Sequence, residues 1–345
     1  MKKILVIRFS SIGDIVLTTP VLRCLKTQVK DIEIHYLTKN NFKTILESNP
    51  NISKIHTITE NIHEVIADLK KENFDFVVDL HHNLRTLQVK RKLGKPSASF
   101  NKLNIQKWLF VNLKINILPH IHIVNRYLET VKHFGVVNDG KGLDYFISKE
   151  DEVDINTLPV THRAGYIGFV IGAAHITKQL PTEKIISICK KINQPIVLLG
   201  GQEDEAKGNE IAIAVGDQVF NACNLYTINQ SASLVKQAHK IITHDTGLMH
   251  IASAFQKQII SVWGNTVPEF GMFPYEGLRD KSGQLTKKTN ARSATDSGIK
   301  NNVIVEVKNL SCRPCSKIGY DKCPRGHFKC MYDIPEEQIV SAIIS

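Results

Sequence analysis

The sequence lacks any apolar run long enough to cross a bilayer. A transmembrane helix needs roughly 18–20 consecutive apolar residues, and no stretch of the 345-residue chain approaches that length. We expect no signal peptide either, because Lys2 and Lys3 are followed by only four apolar residues before Arg8. These absences predict a cytoplasmic protein, whose seven cysteines are reduced or metal-bound.

Acidic residues are missing from one long segment. None lies between Asp79 and Glu129, whereas that segment holds nine basic residues: Arg85, Lys90, Arg91, Lys92, Lys95, Lys102, Lys107, Lys114 and Arg126. Such a patch favours an anionic partner, with a solvated basic face as the alternative. Within it, IQKWLFVNLK (105–114) sets Trp108 among lysines. For this stretch a buried helix is favoured over contact with a membrane surface.

The sequence also lacks a dinucleotide fingerprint. G-x-G-x-x-G needs three glycines after a strand, but the loop RFSSIGD after the first apolar run has only Gly13. A dehydrogenase is therefore disfavoured. Asp14 in this loop has two interpretations: a residue that stabilises the start of a helix, or a general base at the edge of a cleft.

Strand-like and helix-like segments alternate twice along the chain. Apolar runs at 3–9, 32–38, 54–58 and 74–81 predict buried strands, and the same pattern begins again with apolar runs at 165–171 and 195–201. The polar, acidic stretch 151–164 between them is predicted to be a linker. We therefore predict an α/β fold with two Rossmann-like doubly wound domains, 1–150 and 165–345, facing a central cleft.

Three loops at predicted strand ends carry candidate ligand-binding residues. Asp245, Thr246 and Gly247 follow a strand and open a helix, which is a ready anion site, and His250 lies one turn further on. His250 could equally be a hydrogen-bonded structural histidine. Lys178 could neutralise a phosphate or be an ordinary surface lysine. Gly264 and Thr266 lie in a further loop of this kind.

Five segments together resemble glycosyltransferase family 9, the ADP-heptose:lipopolysaccharide heptosyltransferase family. They are SSIGDIVLTTPVLRCLK, DLHHNLRT, TKQLP, HDTGLMHIASA and VWGNTVPEFGMFP, in this order from the first strand to about residue 275. The resemblance implies a GT-B fold and an inverting transfer of heptose from ADP-heptose to a sugar of the lipopolysaccharide inner core. It implies no cofactor for the chemistry.

The resemblance also implies a role for each matching residue. Asp14 matches the catalytic base that deprotonates the acceptor hydroxyl, and Ser11, Gly13 and Arg85 fall on the acceptor side. The donor side comprises Lys178, which matches the family lysine at the diphosphate, together with Asp245, Thr246, Gly247, His250, Gly264 and Thr266. The expected partners are an ADP-sugar, a phosphorylated lipopolysaccharide-core acceptor and the inner face of the cytoplasmic membrane, to which the protein would bind peripherally.

Four of the seven cysteines lie close together near the C-terminus. Cys312, Cys315, Cys323 and Cys330 have the spacing C-x2-C-x7-C-x6-C. A structural tetrahedral Zn²⁺ is one interpretation, with His327 as an alternative ligand. Unmetallated thiols packing a loop, or a redox or disulfide role, are the others.

Two other functions stay open at this stage. The first is a transferase of the same family that uses another nucleotide sugar, because specificity depends on a few residues of the pocket. The second is a zinc-bearing nucleic-acid-binding protein that uses the basic segment and the cysteines. No recognised nucleic-acid motif occurs in the chain, so we expect no nucleic-acid partner.

Overall fold

The first half of the chain forms a five-stranded parallel sheet. The computed structural model describes residues 1–277 and 302–344. The strand order is β3-β2-β1-β4-β5, and residues 4–7 in the central strand are fully buried. The strands are β1 (Lys2–Ile7), β2 (Ile32–Lys39), β3 (Lys54–Ile58), β4 (Phe76–Asp79) and β5 (Ser97–Ser99). The helices are α1 (Ile12–Val16), α2 (Thr19–Gln28), α3 (His63–Lys71), α4 (Leu84–Leu93), α5 (Asn104–Leu113) and α6 (Ile123–Leu128).

A six-stranded parallel sheet follows, in the order β11-β10-β9-β6-β7-β8. Counted from its first strand, this is the 3-2-1-4-5-6 order of a doubly wound dinucleotide-binding fold. The strands are β6 (Ile167–Val170), β7 (Ile196–Leu199), β8 (Val219–Asn221), β9 (Lys240–His244), β10 (Gln258–Trp263) and β11 (Val303–Glu306). The helices are α7 (Thr182–Lys191), α8 (Glu205–Val215), α9 (Ile228–Gln237), α10 (Gly247–Ala254), α11 (Lys329–Tyr332) and α12 (Glu336–Ile344).

Both sheets reverse their strand order beside their first strand. In the first sheet β1 lies between β2 and β4, and in the second β6 lies between β7 and β9. Ligands of open parallel sheets bind at the carboxyl ends of the strands on either side of such a switch point. The loops after β1, β6 and β9 are therefore the places where the fold presents side chains to a ligand.

The prediction of two doubly wound sheets is confirmed, with local differences. The segment that follows β2 is a 3-10 helix at Asn40–Ile45. The predicted linker 151–164 forms short 3-10 turns, and Val153 and Ile155 pack on the main apolar core. The domain boundaries at 150 and 165 stay predictions, and residues 278–301 and 345 of the predicted second domain lie outside the described residues.

The interpretation of residues 105–114 as a buried helix is wrong. They do form α5, but this helix has no fully buried residue, and the exposed fractions of Ile105 and Trp108 are 74% and 52%. The physical reason is that the apolar side chains of this helix point in all directions, and only those of Phe110 and Val111 pack on a small neighbouring apolar cluster. Across residues 1–277 and 302–344, none of the helices has the length and hydrophobicity to cross a membrane.

Candidate active site

Asp14 lies at the switch point of the first sheet, in the first turn of α1. Its Oδ2 accepts hydrogen bonds from the hydroxyl and the backbone N–H of Ser11, at 2.9 and 3.3 Å. This is the geometry that the helix-start interpretation predicts. The other carboxylate oxygen, Oδ1, lies 2.7 Å from Nη2 of Arg8. Asp14 therefore has a structural role and also carries a buried ion pair.

Arg8 is the residue of this site that the sequence interpretation missed. Its side chain is buried, and it donates to the Leu80 carbonyl at 2.6 Å and to the Tyr127 hydroxyl at 3.0 Å. Burial by itself would raise the pKa of Asp14, but the Arg8 charge and the Ser11 hydrogen bonds hold that pKa below the usual carboxyl range. Asp14 is consequently a carboxylate at neutral pH. The sequence feature that could have indicated Arg8 is the presence of one basic residue at the end of an otherwise apolar strand.

The loop that carries Asp14 touches the second domain through two glycines. A Cβ added to Gly13 would lie 2.4 Å from Cδ2 of His250 and 3.3 Å from Cα of Gly247. A Cβ on Gly247 would in turn lie 2.8 Å from a methyl carbon of Ile12. The starts of α1 and α10 therefore meet at a distance that only glycine permits.

Three predicted donor residues form one hydrogen-bonded group at the second switch point. Nζ of Lys178 lies 2.7 Å from Oδ2 of Asp245, and the Thr266 hydroxyl donates to the same oxygen at 2.9 Å. Lys178 follows β6, Asp245 follows β9 and Thr266 follows β10, so three neighbouring strand ends contribute. Lys178 is thus not the ordinary surface lysine of the alternative interpretation.

The start of α10 completes this side of the cleft. The Thr246 hydroxyl caps the helix by accepting from the N–H of Leu248 at 3.3 Å. His250 is buried, burial lowers its pKa to about 4, and its Nδ1 has no hydrogen-bond partner in residues 1–277 and 302–344. The imidazole is therefore neutral, and the alternative of a fully hydrogen-bonded structural histidine is not what the structure shows.

Gly264 lies deep in the loop after β10. A Cβ there would come within 2.5 Å of Cε of Met331 and 2.7 Å of the Thr177 carbonyl oxygen. Glycine is thus required by close packing against the C-terminal segment. The neighbouring Asn265 side chain is buried and has no hydrogen-bond partner within the described ranges.

Arg85 lies apart from Asp14 in the first turn of α4. It lines an open polar pocket of about 520 Å³ together with Lys39, Glu60 and Asn61, at the carboxyl ends of β2 and β3. No direct contact with Asp14 is seen. Of the predicted acceptor residues, the structure therefore places Ser11 and Gly13 at Asp14, and Arg85 in a separate pocket of the same domain.

Further cations surround Asp14 that were not predicted as site residues. The charge of Lys107, on α5, interacts with Asp14, Arg126 and Lys317. Burial and the neighbouring Arg126 charge lower the pKa of Lys107 to about 8. No carboxylate forms an ion pair with Lys107 in the part of the chain that the structure describes. The basic segment thus places positive charge near Asp14 as well as on the solvent-exposed surface.

The four clustered cysteines share one part of the fold without forming a compact set. All seven cysteines are free thiols, and Cys330 is buried while the other three of the cluster are half-buried. Sγ of Cys312 lies 3.8 Å from Nε2 of His327. The predicted disulfide role therefore has no bond in the structure. The remaining cysteines, Cys24, Cys189 and Cys223, are buried in the core.

One other group of metal-ligating side chains is closer together. His35, His56 and Glu72 each place a ligand atom within 4.8 Å of the others, the only such set among the described residues. Both Lys3 and Lys54 already form ion pairs with Glu72, and His35 donates or accepts a 2.9 Å hydrogen bond with His56. These contacts give all three side chains hydrogen-bond or ion-pair partners, so they form a polar network on the β2–β3 side of the first sheet.

Comparison with known proteins supports the resemblance seen in the sequence. The model of glycosyltransferase family 9 (heptosyltransferase) matches residues 62–299. The chain is 26% identical to lipopolysaccharide heptosyltransferase 1 of Campylobacter coli over 339 residues, covering 89% of this chain and 92% of that protein.

Solved structures show the same fold. A family 9 glycosyltransferase from Veillonella parvula superposes with a TM-score of 0.71 at 22% identity, covering 99% of this chain and 96% of that one. The ADP-heptose lps heptosyltransferase II of E. coli gives a TM-score of 0.69 at 17% identity, with coverage of 100% and 98%. With two facing Rossmann-like sheets of the GT-B type and a family match over most of its length, the chain belongs to glycosyltransferase family 9.

Proposed function

We propose that this protein transfers heptose from ADP-heptose to a sugar hydroxyl of the lipopolysaccharide inner core, with inversion at the anomeric carbon. The observation that carries the proposal is the contact of Gly13, the neighbour of Asp14, with the start of α10, which brings the proposed base of one domain near the donor residues of the other. The proposal agrees with the lipopolysaccharide heptosyltransferases to which the chain is similar.

In this proposal Asp14 is the general base. Its lowered pKa keeps it ionised, so it can accept the proton of the acceptor hydroxyl as the oxygen attacks the anomeric carbon. The attack comes from the face opposite the departing diphosphate, which inverts the configuration. Ser11 and Arg8 hold the carboxylate in place, and they leave its remaining lone pairs for the acceptor.

The donor diphosphate would bind between Lys178 and the first turn of α10. The departing ADP gains negative charge in the transition state, so an ammonium group and free helix N–H groups aimed at it lower the barrier. The hydrogen bonds to Asp245 orient both Lys178 and Thr266 in the apo cleft. Gly247, His250 and Gly264 would shape the space for the nucleotide sugar.

A phosphorylated acceptor fits the cations around Asp14. Lys107 and Lys102 are partly desolvated, which lowers the pKa of each amine. An acceptor phosphate would compensate for that desolvation, because a charge-assisted contact is strongest where water is excluded. Arg85 and Lys39 line a second basic pocket in the same domain for a more distant part of the acceptor.

We also propose peripheral binding to the inner face of the cytoplasmic membrane, through α5. Ile105, Trp108 and Leu113 are exposed on this helix, at 74%, 52% and 53%. The surrounding segment is basic and contains no acidic residue from 80 to 128. Exposed apolar side chains with basic neighbours are typical of helices that bind anionic membrane surfaces.

A panel of nucleotide sugars tests the proposed reaction. Purified protein is mixed with ADP-heptose, ADP-glucose or UDP-glucose and a heptose-free lipopolysaccharide precursor, and products are read by mass spectrometry. We expect a heptose adduct only with ADP-heptose, with inverted anomeric configuration by NMR. Transfer from another donor would identify a family 9 enzyme of different specificity. No transfer from any donor would overturn the proposal.

For the cysteine cluster we propose a structural Zn²⁺. The four thiols, with His327 beside Cys312, form a donor set suited to Zn²⁺. The other cluster thiols contribute to the raised pKa of Cys315 and of Cys330, so the four side chains share one neighbourhood. The metal would tie down the segment and take no part in the transfer.

Elemental analysis tests the zinc proposal. Protein purified without added metal should contain about one zinc per chain, and Cys323→Ser should reduce that content, whereas Cys189→Ser removes a core thiol and should leave it unchanged. A metal-free wild-type protein that is folded and active would exclude the zinc site. Iron in place of zinc would reassign the metal.

A further inference from the structure

The cysteine-rich segment (residues 310–333) holds the loop after β10 through one buried arginine. The side chain of Arg313 is 7% exposed. Its guanidinium donates to the backbone carbonyls of Trp263, Gly264 and Thr266, with Nη2 lying 3.3 Å from the first and 3.1 Å from the last. Nη2 also pairs with Oε2 of Glu306 at 2.9 Å. One planar group therefore fixes three carbonyls of the loop that presents Thr266.

The same segment holds the loop after β6. The backbone N–H of Tyr320 donates to the Thr177 hydroxyl at 2.8 Å, and the Thr177 N–H donates to the Tyr320 carbonyl at 3.1 Å. Thr177 is buried and immediately precedes Lys178. This reciprocal pair fixes the backbone from which the Lys178 side chain extends.

A backbone chain joins the two loops to each other and to the cysteines. The N–H of Cys315 donates to the Asn265 carbonyl at 3.1 Å, and the Asn265 N–H reaches the Thr177 carbonyl at 3.4 Å. At the far end of the segment, Met331 packs against Gly264 closely enough to exclude a Cβ there. The segment thus contacts the β10 loop at both of its ends and the β6 loop through Tyr320, near its middle.

We propose that the cysteine-rich segment sets the donor affinity of the enzyme and that Arg313 is its positioning residue. This inference rests on the proposed donor site. Arg313 lies behind the loop and contacts backbone carbonyls, so it acts through Thr266 and the Lys178–Asp245 pair. A tightly held segment keeps these three side chains at the spacing that a diphosphate requires.

Lysine and alanine at position 313 separate this role from general stability. Arg313→Lys keeps a charge for Glu306 but cannot span three carbonyls, because an ammonium lacks the planar fork of a guanidinium. We expect the Kd for ADP and the donor KM to rise about tenfold in Arg313→Lys and further in Arg313→Ala. The acceptor KM should stay within about twofold of wild type, whereas kcat should fall as well, because a displaced Lys178 would stabilise the departing diphosphate less in the transition state.

Arg325→Ala is the matched control. Arg325 belongs to the same segment but is exposed, so its loss should leave the Kd for ADP unchanged. An unchanged Kd in folded Arg313→Lys and Arg313→Ala would overturn the inference. Equal losses in donor KM, acceptor KM and kcat would overturn it too, because they would indicate general damage to the fold.

Hydrogen exchange provides a readout that needs no donor. The amides of Thr177 and Asn265 are hydrogen-bonded within the joined loops, so they should exchange faster in Arg313→Lys than in wild type or Arg325→Ala. If wild-type protein failed to bind ADP while this exchange pattern held, the donor assignment would fall and the positioning role would stand. Unchanged exchange would refute the positioning role itself.

Discussion

At the residue scale, the carboxylate of Asp14 has two separate duties. One is to close the first turn of α1 through Ser11, and the other, in the proposed mechanism, is to accept a proton from the acceptor. Asp14→Asn keeps the shape and most of the hydrogen bonds but removes the basic oxygen. Transfer should fall by about a hundredfold to ten-thousandfold, while ADP affinity by calorimetry stays at the wild-type value. A variant with wild-type turnover would remove Asp14 as the base.

The pH dependence of transfer should report on Arg8. In wild type the ion pair lowers the pKa of Asp14, so the base stays ionised and activity should persist down to pH 5. In Arg8→Gln, the Ser11 hydrogen bonds remain but the opposing Arg8 charge is lost, so that pKa rises and the rate should begin to decline at a higher pH than in wild type. Arg8→Lys retains the charge and should keep most of the wild-type profile. Identical profiles for Arg8→Gln and wild type would contradict the pairing.

For Lys107 we predict an effect on acceptor binding at alkaline pH. Its pKa of about 8 means that the amine loses its proton between pH 7 and 9. The acceptor KM should therefore rise across this interval for a phosphorylated acceptor. Lys107→Gln should have a high acceptor KM at every pH, whereas Lys92→Gln, an exposed lysine of the same segment, should follow wild type. A flat wild-type profile would place the acceptor charge elsewhere.

At the scale of single elements, α5 carries the proposed membrane contact. Ile105→Ser with Trp108→Ser removes two exposed apolar side chains, so folding should be unaffected while binding to vesicles of anionic lipid falls several-fold. Val160→Ser changes a side chain that is 75% exposed elsewhere and should bind like wild type. Sedimentation of protein with vesicles measures the bound fraction. Equal binding by all three proteins would mean that α5 does not contact lipid.

Central strands such as β1 and β6 were predictable because each is a short apolar run that is largely buried on both faces. The exposure of α5 was not, because an apolar run around Trp108 looks the same whether a core or a membrane covers it. The edge strands β5 and β11 also escaped prediction, since each is short and only partly buried. The local sequence determines whether a segment forms a helix or a strand, but the elements packed beside it determine which of its faces is buried.

The candidate site was predictable to a similar degree. Asp14, Lys178 and Asp245 all follow apolar strands, so their position at strand ends could be foreseen. The pairing of Arg8 with Asp14 and of Arg313 with the β10 loop could not. Arg8 is close to Asp14 in sequence, but its guanidinium is held by the distant Leu80 carbonyl and Tyr127 hydroxyl. Arg313 is far from the β10 loop in sequence, so both arrangements depend on the folded chain.

At the scale of the whole molecule, Gly13 tests the contact between the two domains. Its backbone φ imposes no glycine, so Gly13→Ala should form α1 normally but collide with His250 and Gly247. The domains must then separate slightly at this point. We expect transfer to drop more than about tenfold, since small misplacements of reacting groups are costly, with an unchanged circular dichroism spectrum. Full activity in Gly13→Ala would show that the contact is dispensable.

The glycine contact between α1 and α10 also bears on a side reaction. In the proposed mechanism, an ionised Asp14 could deprotonate a water molecule as well as the acceptor hydroxyl. Water could then attack the activated sugar as readily as the acceptor does. Protection of the donor from wasteful hydrolysis must then come from the tight fit around the anomeric carbon. By loosening that fit, Gly13→Ala should increase the fraction of ADP-heptose that ends as free heptose, even as productive transfer slows.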